Sequence, residues 1–447
     1  MSALLPLRPE ATATGTPPAV PRPSAVPWGH ETTLFRVALA AISIAVIDDA
    51  FLHPEQGTGA SDHLAGGLIP LVVAGVLAWT YPRLRAGVRA TAAIACGVLA
   101  MAAGIADGVR HVAVDRLAGD DLAVMLGGVA GVALVALGAV LLWRSRRLGE
   151  RLVRRYARRS VVAVLAGAAT LFVLVPATIA IVATHRAREP VARADLGRAY
   201  ERVGFATADG LRLVGWYVPS RNRAAVVLSP GRRGPVPHAR MLVRHGYGVL
   251  LFDRRGEGQS DGDFNAYGWG GDADLKAAIG FLARRDDVDP ERIGGLGLSV
   301  GGEMLLETAA EDGRLRAVVA EGASVRSLAE HWDDPALGPV QKPFTPLAAQ
   351  TLAVAVLANE GPPPSLLDLV DDIAPRSLML IRGLEGQPAE NLNRAFNDAA
   401  GEPKDLWEVP GARHTAALAA SPQEYERRVV GFFDRALLPL TRDGQKP

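Results

Sequence analysis

The chain has 447 residues, with 48 Lys and Arg against 47 Asp and Glu, and a single cysteine. The net charge of +1 argues against nucleic acid as a partner, and one cysteine, Cys96, excludes an internal disulfide. Hydrophobic residues make up 49% of the chain and the mean hydropathy is +0.16, which is too apolar for a purely soluble enzyme. Because the apolar excess lies before residue 185, the composition predicts a membrane region followed by a soluble domain.

The first 33 residues are rich in proline, alanine and threonine and carry few charges. Segments of this composition cannot bury enough apolar surface to fold, so residues 1–33 are expected to be disordered. They lack the basic start, apolar middle and cleavage site of a secretory signal. The later apolar segments are therefore expected to direct membrane insertion.

Apolar segments between residues 34 and 184 predict a bundle of transmembrane helices. Each is long enough, or nearly so, to cross a hydrocarbon core about 30 Å thick. The five segments are 34–47, 64–81, 90–106, 122–143 and 161–183. The first is short and runs into Asp48-Asp49, so four spans remain the alternative. The run from Gly127 to Gly131 predicts close helix packing, since small side chains let backbones approach.

The charges between the spans indicate the orientation of the bundle. Eight arginines lie between Arg144 and Arg159, in the loop before the last predicted span. Basic loops stay in the cytoplasm, so this span places residues from about 185 onward on the extracytoplasmic side. Polar residues gather around the first outer loop: Asp48, Asp49, His53, Asp62 and His63. They are interpreted as a polar loop rather than as a metal site.

Beyond residue 185, apolar strand-like runs alternate with helical stretches. The runs cover 225–228, 247–252, 293–298, 315–320 and 378–381. This alternation predicts an α/β domain over 185–447, with a mostly parallel sheet covered by helices on both faces. The connection at about 325–372 is longer than the fold needs and predicts a lid or cap over the site.

The sequence Gly297-Leu298-Ser299-Val300-Gly301 lies where a predicted strand meets a predicted helix. A serine on such a corner is held in a strained turn with its hydroxyl exposed, and the glycines avoid clashes with neighbouring backbone. Serine is a poor nucleophile until a base takes its proton. His414, near the end of the domain, is the candidate base.

The segments 297–302, 253–262 and 410–415 resemble the α/β-hydrolase family, in its branch of dienelactone hydrolases and serine aminopeptidases. The resemblance covers roughly the C-terminal half of the chain. It implies a Ser-His-acid triad, with no cofactor and no metal. It also implies an oxyanion hole formed by the backbone N–H groups of Val300 and Arg232.

Two positions depart from the family pattern. A His-Gly pair is usual before Arg232, and this chain has Pro230 followed by glycine, which removes an imidazole and a backbone donor. The family usually places an aspartate a few residues after residue 383, and this chain has none there. The resemblance therefore implies Glu385 as the acid, with Glu390 in reserve and Asp253 next. In this family the residue at the Asp253 position usually supports its own loop.

The predicted function is that of a membrane-anchored serine hydrolase that cleaves an ester, thioester or related acyl substrate outside the cytoplasm. A serine peptidase of the same fold is an alternative, because the same triad cleaves amides. A catalytically weak membrane protein that keeps the domain for binding is the other alternative. The expected partners are a small-molecule or lipid-like acyl substrate and membrane lipids.

Overall fold

The computed structural model describes residues 28–438, apart from 55–57, 114–120, 145–151, 187, 189–190, 233, 327, 335–336, 340–341 and 343–345. Residues 1–27 of the predicted disordered tail lie outside the described part. Residues 28–33 depart from that prediction, because they form the first turns of a helix. Glu31 in these turns pairs with Arg89 of another helix at 3.4 Å, which ties the segment to the bundle.

Six helices make up the N-terminal region that the structure describes. They are α1 Trp28–Ile47, α2 Leu64–Thr80, α3 Ala86–Ala113, α4 Asp121–Arg144, α5 Leu152–Ala169 and α6 Val175–Thr184. A π-helical turn, Thr170–Leu174, joins α5 to α6. The later part of the predicted basic loop is therefore helical, since α5 already begins at Leu152.

Four stretches of this region are long and apolar enough to cross a membrane, judged by length and composition. They are Leu64–Arg83, Ala86–Gly104, Met125–Leu142 and Tyr156–Thr184. Helix α1, which covers the first and shortest predicted span, is not among them but packs on α4. Small residues allow close contact, since a methyl group on Gly97 would lie 2.6 Å from the Gly131 carbonyl oxygen.

The C-terminal domain contains one eight-stranded sheet in the order β1-β2-β4-β3-β5-β6-β7-β8. Its strands are β1 Glu201–Ala206, β2 Arg212–Val218, β3 Ala225–Ser229, β4 Gly248–Phe252, β5 Ile293–Leu298, β6 Leu315–Glu321, β7 Ser377–Gly383 and β8 Lys404–Val409. β2 runs antiparallel to β1 and to β4, and all other neighbours are parallel. The predicted fold class, an α/β sheet domain after an all-helical region of apolar helices, is confirmed.

Nine helices accompany the sheet in the described residues. They are α7 Val236–Arg244, α8 Gly271–Ala283, α9 Val300–Glu311, α10 Leu328–Asp333, α11 Leu347–Ala358, α12 Leu366–Leu369, α13 Leu392–Ala399, α14 Ala417–Ala420 and α15 Pro422–Leu437. One buried apolar layer joins α7 and α15 to the sheet, and a second joins α8, α9 and α13 to it. With both faces covered, the central parallel strands consist of continuous buried apolar residues.

The long connection between β6 and β7 contains α10, α11 and α12. Its longest helix, α11, packs along α6 and also meets α2, so it joins the sheet domain to the apolar helices. Because β5, β6 and β7 are parallel, their carboxyl ends lie at one edge of the sheet, where the segments after them meet.

Candidate active site

Ser299 occupies the sharp turn between β5 and α9. Its φ of +51° is unusual for a residue with a side chain, and its N–H donates to the Glu321 carbonyl at 2.7 Å. Two glycines make the turn possible. A methyl group on Gly297 would lie 2.4 Å from the Gly301 carbonyl oxygen, and one on Gly301 would lie 2.4 Å from the carbonyl carbon of Ser229. The strained backbone holds the Ser299 hydroxyl at the carboxyl end of β5.

A chain of three side chains begins at this serine. His414 follows β8, and its Nε2 lies 2.9 Å from the Ser299 Oγ. The other ring nitrogen, Nδ1, lies 2.7 Å from the Glu390 Oε1. Glu390 is fully buried, whereas the His414 side chain is 26% exposed. A hydroxyl, an imidazole and a buried carboxylate in this order can activate the serine for attack on a carbonyl carbon.

The loop after β7 is shaped to hold the Glu390 carboxylate. A 3₁₀ turn, Pro388–Asn391, begins with proline and carries Glu390 at its third position. There the carboxylate accepts the N–H of Gln387 at 2.9 Å, as in a capping box. Gly386 leaves the space for it, because a methyl group there would lie 2.4 Å from the Glu390 Oε1. The turn thus holds the Glu390 carboxylate through contacts that do not involve His414.

Comparison with known proteins identifies the family. Residues 180–398 match the family model of X-Pro dipeptidyl-peptidase (S15 family). The uncharacterized protein Rv2307c of Mycobacterium tuberculosis H37Rv is 32% identical over 215 residues, 46% of this chain and 70% of that protein. The uncharacterized protein YfhR of Escherichia coli K12 is 27% identical over 263 residues, 54% of this chain and 82% of that protein.

The chain belongs to the α/β-hydrolase family. Among solved structures, the esterase Pf2001 of Pyrococcus furiosus is 22% identical to this hydrolase, with a TM-score of 0.44, and the match covers 56% of this chain and 98% of that one.

The carboxylate that contacts His414 is that of Glu390, the reserve candidate, so the prediction of Glu385 at this position is wrong. Glu385 lies in the tight turn directly after β7, where its N–H donates to the Ala412 carbonyl at 3.0 Å and its side chain is exposed. Asp253, the third candidate, lies elsewhere: it binds the buried Arg232 guanidinium through Nε at 2.8 Å and Nη2 at 2.5 Å. Only Glu390, of these three, contacts His414.

Asp253 also contacts one of the two predicted oxyanion donors. Its Oδ1 accepts the backbone N–H of Arg232 at 3.2 Å, so this N–H already has an acceptor in the structure. Val300, the other predicted donor, is the first residue of α9. The first N–H groups of a helix have no intrahelical acceptor, so the Val300 N–H is available to a developing oxyanion beside Ser299.

Glu321, a residue outside the predicted site, connects the loop of Ser299 to the loop of His414. Its backbone carbonyl binds the N–H of Ser299, as described above. Its buried carboxylate accepts the N–H of Ala417 at 2.9 Å and the hydroxyl of Tyr425 at 2.8 Å. Ala417 begins the short helix just after His414. Glu321 therefore fixes the histidine loop relative to the serine.

A second group of buried acidic residues ties α9, the helix that follows Ser299, to the start of the connection between β6 and β7. Glu303 of α9 accepts the N–H and the hydroxyl of Ser324 at 2.8 and 2.9 Å. Burial, reinforced by the charge of Glu330, raises the pKa of Glu303 to about 7. Arg326 pairs with Glu307 at 2.5 Å and with Glu330 at 3.3 Å. Arg326 therefore pairs directly with two of the three carboxylates, whereas Glu303 accepts its hydrogen bonds from Ser324.

The polar residues of the first loop pair with one another and with Asp263 of the sheet domain. His53 pairs with Asp48 at 3.0 Å. His63 shares a hydrogen bond of 2.9 Å with Thr58 and lies 3.6 Å from Asp263. Within the described ranges, no group of three or more His, Cys, Asp or Glu side chains is arranged to hold a metal ion.

Proposed function

We propose that this hydrolase cleaves an ester, thioester or related acyl substrate by way of a covalent acyl-Ser299 intermediate. The observation that carries the proposal is the continuous contact from Ser299 through His414 to the buried Glu390. A structural role alone does not require a serine at positive φ whose hydroxyl meets an imidazole that is itself held by a carboxylate.

Each side chain has a defined part in this reaction. The Ser299 Oγ attacks the acyl carbonyl carbon while the His414 Nε2 takes its proton, and the same nitrogen then returns the proton to the leaving group. Glu390 keeps the proton on Nδ1 and stabilises the imidazolium. The N–H of Val300 binds the oxyanion. Water attacks the acyl-Ser299 in the second half-reaction and releases the acid.

The proposed location is a membrane, with the hydrolase domain on the extracytoplasmic side. Four apolar helical stretches support the anchor, and the arginines between Arg144 and Arg159 support this orientation. A reporter that is active only outside the cytoplasm, fused after Pro447, is expected to work in intact cells. Activity of a cytoplasm-only reporter at the same place would reverse the orientation.

Steady-state kinetics of the wild-type protein and a serine variant test the chemistry. The full-length protein is expected to hydrolyse p-nitrophenyl esters of short and medium acyl chains, and the Ser299→Ala variant is expected to lose at least about ten-thousandfold in kcat. The rate in the variant measures any hydrolysis that does not pass through the serine. Equal rates in the two proteins would refute the acyl-serine mechanism.

A serine peptidase is the second candidate, because residues 180–398 match the model of X-Pro dipeptidyl-peptidase. An X-Pro-p-nitroanilide in the same assay separates the two. Ester preference by kcat/KM supports the acyl-ester proposal, whereas efficient release of p-nitroaniline from the dipeptide substrate would favour the peptidase.

A further inference from the structure

Helix α11, in the connection between β6 and β7, differs from the other long helices around the sheet in the described residues, because it carries no charge. Of its twelve residues, LAAQTLAVAVLA, only Gln350 and Thr351 are polar. A helix that is apolar all round is normally buried in a protein core or in a membrane. Yet only Val354 of α11 is fully buried, and Leu352 is 68% exposed. In water this helix would leave apolar surface unprotected.

The neighbours of α11 indicate what covers this surface. The helix packs along α6, and at its far end the Leu357 carbonyl lies against Gly66 in the first turn of α2. The contact with α2 lies at the start of that helix. Ala266 of the hydrolase domain donates its N–H to the Ala183 carbonyl of α6 at 2.9 Å, which fixes the same arrangement.

The length of α11 decides how it meets a bilayer. At 1.5 Å per residue it is about 18 Å long, too short to cross a hydrocarbon core of about 30 Å. Its last residue is followed by Asn359 in a left-handed conformation and by Glu360, both exposed. A short apolar helix with a polar end, beside the ends of spanning helices, suits one leaflet of a membrane.

The nucleophile lies close to this helix. Val354 of α11, Ala180 of α6 and Trp269 of the hydrolase domain form one apolar cluster. The Trp269 indole donates to the Arg326 carbonyl at 3.2 Å, and the neighbouring Gly268 packs on the side chain of Val300, next to Ser299. The path from α11 to Ser299 therefore passes through three residues, Trp269, Gly268 and Val300.

We propose that α11 inserts into the leaflet on the hydrolase side of the membrane and that the enzyme takes its acyl substrate from that leaflet. This proposal rests on the proposed function and narrows its substrate to an ester whose acyl chain resides in the bilayer. The occupant of the exposed face of α11 is lipid, in continuity with the faces of α6 and α2.

Lipid quenching of a fluorophore tests the insertion in the full-length protein. In a Cys96→Ser background, an environment-sensitive NBD label is attached at Leu352→Cys, with Val164→Cys in the last predicted span and Gln423→Cys on the exposed start of α15 as controls. The proteins are placed in phosphatidylcholine nanodiscs with or without lipids that carry a nitroxide on the acyl chain. Labels at 352 and 164 are expected to lose at least half of their emission, and the label at 423 less than a tenth.

Each other outcome overturns the insertion. Quenching at 164 but not at 352 means that the protein spans the membrane while α11 does not enter it. No quenching at 164 removes the membrane placement altogether. A blue-shifted but unquenched label at 352 means that protein covers the helix, from a second copy or another partner.

A comparison of two substrates tests the second part of the proposal, the uptake of the substrate from the leaflet. The rate on a long-chain fluorogenic ester held in vesicles is divided by the rate on a soluble acetate ester. Leu352→Lys is expected to lower this ratio about tenfold, because a charge resists insertion, and Leu352→Met to change it less than twofold. An unchanged ratio in the lysine variant contradicts uptake from the leaflet. If the wild type cleaves neither ester, the proposed hydrolase function fails while the quenching result still stands on its own.

Discussion

The helical region and the sheet domain are both rich in apolar side chains. The sheet domain buries them, whereas the helical region exposes many of them. In the sheet, Leu228 and Val249 are completely buried. In the helices, Val129 and Leu165 are 68% and 64% exposed. This exposure agrees with the proposed membrane location of the helices, where lipid rather than water would cover their apolar faces.

Helix α11, in the connection between β6 and β7, is an exception within the sheet domain. Among the described residues after Thr184, only three large apolar side chains are exposed: Trp332, Leu352 and Leu384. Two of them lie in the insertion between β6 and β7, and the third directly follows β7 near the triad. Apolar exposure in the sheet domain is therefore concentrated on the side of the active site.

The largest effect is expected in the buried polar centre of the sheet domain. Glu390→Gln keeps the size of the side chain but removes the charge that stabilises the imidazolium, and it should lower kcat for ester hydrolysis about a thousandfold. Glu385→Gln, the matched control five residues earlier, should change kcat less than twofold. Equal losses in the two variants would mean that the contact between Glu390 and His414 does not operate in catalysis.

Two leucine variants, one in each region, test whether the side chains of the two regions face different environments. Leu228→Ala removes a completely buried side chain of β3 and should lower the apparent Tm by roughly 5–15 °C, from a loss of about 2–5 kcal/mol. Leu165→Ala, on a face that we assign to lipid, should lower it by less than about 2 °C. Thermal unfolding of full-length protein in nanodiscs measures both, and a large loss at 165 would place that side chain in a protein core.

The buried Glu303 of α9 predicts that the stability of the protein depends on pH. The pKa of Glu303 rises from 4.5 to about 7 in the folded protein, so its contribution to stability is complete below pH 4.5 and is lost as the pH rises through about 7. Glu303→Gln stays neutral at every pH. Its apparent Tm should exceed that of the wild type by about 5 °C at pH 8 and by no more than about 2 °C at pH 5. A constant difference at both pH values would contradict the raised pKa.

The smallest expected effect concerns Glu321, which positions the histidine loop. Glutamine offers one acceptor where the carboxylate binds both Ala417 and Tyr425, so Glu321→Gln should shift His414 slightly and lower kcat about tenfold with KM unchanged. Tyr425→Phe, which removes one of the two contacts, should have a smaller effect. A rise in KM with constant kcat would point to substrate binding instead.

The sequence predicted the parts of this molecule that follow from local patterns. Ser299 was found because its glycines and the apolar run before it are adjacent in the chain, and the central parallel strands because they are continuously apolar. The edge strands β1 and β8 each begin with two charged residues, Glu201 and Arg202 in β1 and Lys404 and Asp405 in β8, so no long apolar run marks them.

The acid could not be placed by counting from β7. Glu385 is nearer in sequence, but the turn after the strand directs it outward, and the following 3₁₀ turn brings Glu390 back to the histidine. The proline at position 388 with a glutamate two residues later was a local signal of that turn. Glu321 gave no such signal, because its partners lie about a hundred residues away in the chain.

The most direct test of the account is the reaction of the full-length protein in membranes with a fluorophosphonate, followed by peptide mass spectrometry. A serine activated by its neighbours is expected to carry the phosphonyl adduct at Ser299, and the adduct should form at least a hundredfold more slowly in His414→Ala and Glu390→Gln. An adduct absent from Ser299 in the folded wild-type protein, or formed equally fast in all three proteins, would contradict a catalytic triad at this site.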